Sequence, residues 1–263
     1  MPGSALIGST GFVGTNLLRQ RTFDHCYHRP NIQEIDGQHF DLVICAGAPA
    51  EKWRANQSPI ADRQNLERLA AHLARMQAEQ FVLVSTVDVY PSPIGVDETT
   101  PIDPAAAHPY GRNRFWLEQR CRDLFSSVTI VRLPGLFGPG LKKNLLFDLV
   151  HQRNLELTDH RSVFQFYDIR RLWSDLRTGL AAGVELLNLA TEPVRAADVA
   201  KTCFGVDLTT ETAAGPVAYD MRSVHTAIFG RSGPYLATAA ETTESIRDWA
   251  HTERPTVNPG GPS

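Results

Sequence analysis

The 263-residue chain is poor in cysteine. Its four thiols, Cys26, Cys45, Cys121 and Cys203, lie far apart and form no C-x-x-C pair. Cysteines so scattered supply neither a disulfide framework nor a thiolate metal site, and they read as the reduced thiols of a cytoplasmic protein. Long hydrophobic runs are missing too. No stretch approaches the roughly 18–20 apolar residues needed to cross a bilayer. No block of basic residues occurs and the formal net charge is -3, which argues against nucleic acid and acidic membrane surfaces as partners. A strand pattern starts by residue 4, leaving no room for a signal peptide ahead of it. There is no internal repeat. Low complexity is confined to residues 252–263, rich in Pro and Gly and expected to be disordered.

The length is sufficient for a sizeable core in one large and one small lobe. The apolar run at residues 4–7 stops at Gly8, and a helical pattern over residues 12–20 follows within four residues. Gly8, Gly11 and Gly14 punctuate that junction. Glycine at 8 lets the chain turn sharply, at 11 it removes the Cβ between backbone and a diphosphate, and at 14 it lets the helix approach the strand. The first helical amides and the positive end of the helix then face the anion. Three such glycines also suit an ordinary strand-to-helix turn.

A short strand over residues 25–28 should follow. Dinucleotide-binding folds place an acid at its end for the adenosine ribose, but here His28 and Arg29 stand there. Either they meet a 2′-phosphate, which makes NADP preferred over NAD, or Arg29 is a solvated surface charge. Residues 31–39 hold only one short element before the strand at 40–45, so the adenine side of the sheet should be trimmed. Ala46, Gly47 and Ala48 end that strand with small residues, as a backbone passing close to a cofactor requires. Residues 49–57 read as a polar loop whose Lys52 is solvated or reaches the pocket mouth. Ser58-Pro59 reads as an N-cap and first turn of a helix over 59–78.

The apolar strand at 81–84 runs into Ser85-Thr86-Val87-Asp88-Val89-Tyr90. About twenty residues on, His108-Pro109-Tyr110 opens a helix to about residue 125. Tyr110 and Arg114, four apart, project from one face of it. A strand at 128–133 leads to Pro134. Beyond it, helices are expected at 144–152, 169–181, 195–204 and 238–250, with strands near 155–158, 163–167 and 185–189. Trp53, Phe115, Trp116, Phe147, Trp173 and Trp249 should be core or lobe-interface residues, His108 a surface residue and Asp168 an N-cap. Alternating strands and helices predict an α/β, doubly wound parallel sheet. Residues 1–134 with parts of 159–190 would form its dinucleotide-binding domain, and 135–251 mainly a smaller substrate lobe.

Taken in order, these pieces resemble the extended short-chain dehydrogenase/reductase family, of the NAD-dependent epimerase/dehydratase type. GSTGFVG at 8–14, AGA at 46–48, VSTVDVY at 84–90, the Tyr110-x-x-x-basic helix, RLPGLFGPG at 132–140 and NLATEP at 188–193 carry the resemblance. It implies a Rossmann-type fold that holds NAD(P) through Gly8, Thr10, Gly11, Phe12, Val13, Gly14, His28, Arg29, Ala46, Gly47, Ala48, Tyr110, Arg114 and Pro134. It also implies Tyr110 as the acid/base, Thr86 as the holder of the substrate oxygen, and Arg114 as ribose ligand and tuner of the phenol. Thr86 on its own reads equally well as a turn cap.

The substrate so implied is a small hydroxy or keto compound, a sugar or nucleotide-sugar derivative among them. Hydride transfer to or from its carbon requires a group that moves the hydroxyl proton in step, and a nearby cation favours the phenolate. Three features depart from the family pattern: Arg114 replaces a lysine, Gly135 stands where sugar-nucleotide enzymes often carry asparagine, and the chain is short. Arg114 and the short lobe sustain a second reading, a dinucleotide-binding sensor or assembly protein without efficient chemistry. The resemblance further implies a homodimer through the helices at 59–78 and 110–125.

Overall fold

Successive residues of the central strands face opposite sides, and each side is apolar. Ala5, Val43, Phe81 and Leu83 point into one core with Leu66, Leu69, Leu73, Leu117 and Cys121. Their neighbours Leu6, Ile44 and Val82 point into a second core with Leu17, Leu172 and Leu176. Strands that are apolar on both faces need helices on both faces, and that requirement produces a doubly wound sheet.

The computed structural model describes residues 3–253. In chain order its elements begin β1 (Gly3–Ile7), α1 (Phe12–Gln20), β2 (His25–Tyr27), β3 (His39–Cys45), α2 (Lys52–Gln57) and α3 (Pro59–Leu73). They continue through β4 (Gln77–Thr86), β5 (Ile94–Val96), α4 (Pro109–Leu124), β6 (Val128–Leu133), β7 (Gly135–Phe137) and α5 (Leu145–His151). The remainder is β8 (Val163–Phe164), β9 (Phe166–Asp168), α6 (Leu172–Ala181), β10 (Leu186–Asn188), β11 (Val194–Arg195), α7 (Ala196–Val199), β12 (Asp220–Met221) and α8 (Ala239–Glu253).

Six parallel strands form the main sheet in the order β10-β6-β4-β3-β1-β2. From β1 the chain passes through α1 to β2 on one flank, whereas β3 lies on the other. The crevice beyond the carboxyl ends of β1 and β3 is therefore the topological switch point, where this class of sheet takes its ligands. Between β2 and β3 there is only a 3₁₀ turn, Arg29–Ile35, and β2 is an edge. The adenine side is trimmed, as the short spacing requires. Past β6 a third core, built around Phe137, Leu146, Phe166, Val199, Ile246 and Trp249, gathers the C-terminal helices.

Several expectations are corrected. The helix expected over 59–78 stops at Leu73, and the strand expected from 81 begins at Gln77, because residues 77–80 pair with β3. Gln-Ala-Glu-Gln is good helix material, and pairing along the sheet overrides its propensity. Residues 155–158 form not a strand but a 3₁₀ turn, Leu155–Leu157, entered through a left-handed Asn154. The alternation of Leu155 and Leu157 imitates a strand, yet Leu157 is 72% exposed. The supposed loop at 49–57 contains α2, whose polar sequence buries only Ala55. Trp53 on it is 64% exposed and no core residue. Ser58 sits at the N-cap of α3 but makes no side-chain cap. Thr252 and Glu253 end α8, and the rest of the expected disordered tail lies outside the described residues.

Candidate active site

The glycine turn comes first. Gly8 has φ +86°, and a Cβ on it would overlap Ala46 O; one on Gly14 would overlap Gly8 O. The fold itself demands both glycines. Gly11 differs, since a Cβ there would meet nothing nearer than Gly8 O at 3.4 Å. Space remains over Gly11, as a diphosphate needs. Gly8 N and Ser9 N donate to Tyr27 O at 2.8 and 3.1 Å, which fixes the turn to β2. Phe12 and Val13 press their side chains into the sheet core, while their amides, in the first turn of α1, have no acceptor among the described residues. Gly11 at the N-cap supplies no side-chain cap, and the first turn has no acid, so nothing competes with an anion there. Thr10 is exposed beside it. This turn fits a dinucleotide diphosphate.

Neighbouring strand ends frame the rest of the crevice. Ala46 N donates to Ile7 O at 2.8 Å, and Ala46, Gly47 and Ala48 are half-buried as they leave β3. At the end of β2, His28 N donates to Asn31 Oδ1 at 2.8 Å and opens the 3₁₀ turn. Arg29 is exposed and has no ion-pair partner among the described residues. Pro134 is buried directly after β6, next to Leu133, which pairs with Thr86 in the sheet register.

Thr86 acts as a turn cap. At the end of β4 its Oγ1 accepts from Asp88 N at 3.2 Å, capping a 3₁₀ turn, and this leaves the hydroxyl hydrogen free to donate. Helix α4 packs hard against that turn: a side chain on Gly111 would overlap Asp88 O. Glycine at 111 therefore sets how closely α4 approaches the turn that follows Thr86. Two further groups fix the start of α4. His108 Nδ1 accepts from Gly111 N at 3.1 Å, and Asn56 Oδ1 of α2 accepts from Tyr110 N at 2.9 Å. His108, expected at the surface, is a cap with its side chain one-third exposed and Nε2 3.8 Å from Asp88 Oδ1. Tyr90, the other tyrosine of the motif, is taken up by structure: Oη donates to Asp97 O at 2.7 Å and accepts from buried Arg132 at 2.8 Å.

Tyr110 is 6% exposed. The Arg114 guanidinium lies over its ring, 4.3 Å from the centroid. Burial drives the phenol above its ordinary value; the charge and hydrogen bonding of Arg114 pull it back without offsetting burial. Arg114 itself is committed. Nη1 and Nη2 reach Asp62 Oδ2 and Oδ1 at 2.8 and 3.0 Å, and Nη2 also donates to Pro49 O. Arg114 thereby locks the loop leaving β3 onto α4. Its Nε is buried without a partner among the described residues. A guanidinium so bound is a fixed positive charge beside Tyr110, not a mobile ligand.

On the turn that follows Thr86, Asp88 anchors a cluster that the sequence did not single out as a set. Lys52 Nζ donates to Asp88 Oδ1 at 2.6 Å and Tyr219 Oη at 3.2 Å, and the Tyr219 ring stacks on Phe164 at 6.3 Å. Burial alone would raise the Asp88 carboxyl; His108 and Lys52 outweigh it and hold the group below its ordinary value. Asp62, Asn56 and Tyr219 carried no sequence signal, since each meets its partner only through packing of distant segments. Gly135, where asparagine was expected, has no room for a side chain, because a Cβ would sit 2.8 Å from Gln165 O across the β7–β9 pair.

A model of the NAD dependent epimerase/dehydratase family matches residues 24–156, a stretch that includes Thr86, Tyr110 and Arg114. No curated protein sequence matches the chain. Among solved structures, dTDP-4-dehydrorhamnose reductase from Yersinia enterocolitica aligns with a TM-score of 0.73 at 13% identity, over 96% of this chain and 99% of that one. The dTDP-4-dehydrorhamnose reductase of Bacillus anthracis, in complex with NADP, aligns at 0.73 and 15% identity, over 96% and 99%. RMD from Pseudomonas aeruginosa, complexed with NADPH, aligns at 0.69 and 18%, over 95% and 99%. At such identities the likeness is one of fold. The chain nonetheless spans nearly the whole of each, so its C-terminal part is not unusually short beside theirs.

Proposed function

Because the chain belongs to the NAD dependent epimerase/dehydratase family, we propose that it is an NAD(P)-dependent reductase of a keto-sugar derivative, a nucleotide sugar among the candidates. The observation that supports this reading is the close contact of α4, which carries Tyr110, with the turn after Thr86 at the carboxyl end of β4. A reduced nicotinamide bound in the crevice supplies hydride to a carbonyl carbon. Thr86 donates a hydrogen bond to the carbonyl oxygen, and Tyr110, kept protonated by burial, delivers the proton that makes it a hydroxyl. The fixed charge of Arg114 stabilises the phenolate left behind. Phe164 and Tyr219 offer a ring face, and Lys52, Asp88 and His108 offer hydrogen-bonding partners, for a polyhydroxylated substrate. Arg29, without an ion-pair partner among the described residues at the end of β2, favours NADP. The protein would work in the cytoplasm, with a second copy docked on α3 and α4.

The test is consumption of NADPH, followed by absorbance, against keto-sugar nucleotides, free keto sugars and small ketones. Turnover of a keto sugar supports the proposal; binding of NADPH with no oxidation by any carbonyl class contradicts it. That second result favours a dinucleotide-binding sensor, a reading supported by the commitment of Arg114 to Asp62. The two are separated by the Asp62→Asn/Arg114→Lys double variant, which restores a lysine without stranding a buried carboxylate. Activity that appears only in the double variant identifies a degenerate enzyme.

A further inference from the structure

One segment, residues 138–144, is tied at its two ends to α1, which follows β1, and to Ala50, which follows β3. Its first end is pinned to one helical layer. Asn16 of α1, 1% exposed, donates from Nδ2 to Pro139 O at 3.0 Å. Its far end reaches the other layer, where Lys143 Nζ donates to Ala50 O at 2.7 Å, just ahead of α2. Helix α1 shares its core with α6 on one side of the sheet, while α2 packs on α3 and α4 at the other. A segment tied to both layers passes over the strand ends between them.

The two ends are held very differently. Gly138 and Gly140 have φ +146° and +80°, and a side chain on Gly138 would overlap Ile169. Asn144 has φ 118° and ψ 175°, a region that glycine alone enters without strain. Its own side chain keeps it there, with Nδ2 donating to Leu136 O at 2.8 Å and Oδ1 accepting from Phe147 N at 3.2 Å. Strain of this kind persists at clamps and switch segments, where surrounding structure over-determines it. Lys142 and Lys143 are exposed, and Lys143 is held by a single carbonyl among the described residues. That carbonyl belongs to a rigid lip, because Arg114 fixes the adjacent Pro49. Between the joints Leu141 rests against the third core and its amide donates to Gly138 O at 3.2 Å, which leaves Lys142 and Lys143 as the weakly fastened stretch.

We propose that residues 138–144 form a strap that unfastens at Lys143 to admit the dinucleotide and refastens over it, setting the rate of cofactor exchange. Asn16–Pro139 and the strained Asn144 are its hinges; Lys143–Ala50 is its latch. The strap rests on the dinucleotide-binding reading of the crevice, and its test separates the two. Wild-type protein and Lys143→Met are compared by amide hydrogen exchange over residues 139–143, with and without NADPH, and by the rate at which NADPH leaves when chased. Without cofactor, loss of the latch bond is expected to speed exchange there roughly three- to tenfold, and NADPH release by a similar factor. NADPH should slow exchange of the segment in the wild type. Equal exchange in the two proteins overturns the strap whether or not a cofactor binds. So does NADPH binding with an unchanged release rate. Failure of both proteins to bind NADPH refutes the functional reading itself, and the strap with it.

Discussion

Tyr110→Phe is expected to lower kcat for carbonyl reduction by about 10²–10⁴-fold, the usual weight of a general acid, while NADPH binding stays within a factor of about three. The substitution removes one hydroxyl and leaves the ring under Arg114, 4.3 Å from its guanidinium carbon, so packing is retained. The pH dependence follows from the direction of the shift. Burial holds the Tyr110 phenol above its ordinary value near 10, and reduction uses the protonated form. Reduction should therefore be insensitive to this group through neutral pH and decline only beyond the range of an ordinary phenol. Oxidation of the corresponding alcohol uses the phenolate and should rise over the same alkaline range. Unchanged turnover in the Phe variant, or an alkaline limb that survives it, assigns the proton to another group.

The second large effect is on stability. Asp62→Ala leaves the guanidinium of Arg114, 3% exposed, without its carboxylate. Removing one partner of a buried ion pair costs about 3–5 kcal/mol, measurable by urea unfolding. Arg114→Met strands Asp62 and the Pro49 carbonyl and should cost a similar amount. Replacing both, as Asp62→Leu/Arg114→Met, should cost clearly less than the sum of the singles, because no unpaired charge stays buried. Additive losses would show that the two residues act independently and that Arg114 is held by something else. The single Arg114→Lys change is informative for the same reason: one ammonium cannot reproduce the bidentate contact with Asp62 and the bond to Pro49.

The parts of the molecule written locally were legible before any coordinates. The bounds of α1 and β6, the short passage from β2 to β3, and the cap at Asp168, which accepts from Arg170 N at 3.0 Å, each depend on a few adjacent residues. The order of motifs was enough to put the glycine turn after β1 and Thr86 at the end of β4 on the same carboxyl edge of the sheet. What stayed hidden depends on register between distant elements. Asp62 and Arg114 are 52 residues apart and meet only because α3 packs on α4. Gly111 gave no signal in the sequence, and only the Asp88 carbonyl against it explains its presence. Residues 77–80 have helical composition and were claimed by the edge of β3. Helix α2 has almost no apolar face to read, yet it contributes both Lys52 and Asn56 to the site.

The most direct measurement is a calorimetric titration of the purified protein with NADPH and with NADH, repeated on Arg29→Ala. The crevice at Gly11 is expected to bind both, with NADPH favoured about tenfold, or ~1.4 kcal/mol, and that preference lost in the variant. Equal affinities in the wild type would remove Arg29 from the 2′-phosphate and leave the fold's cofactor role standing. If neither dinucleotide binds, then the glycine turn is a structural junction and Tyr110 has no hydride to accompany.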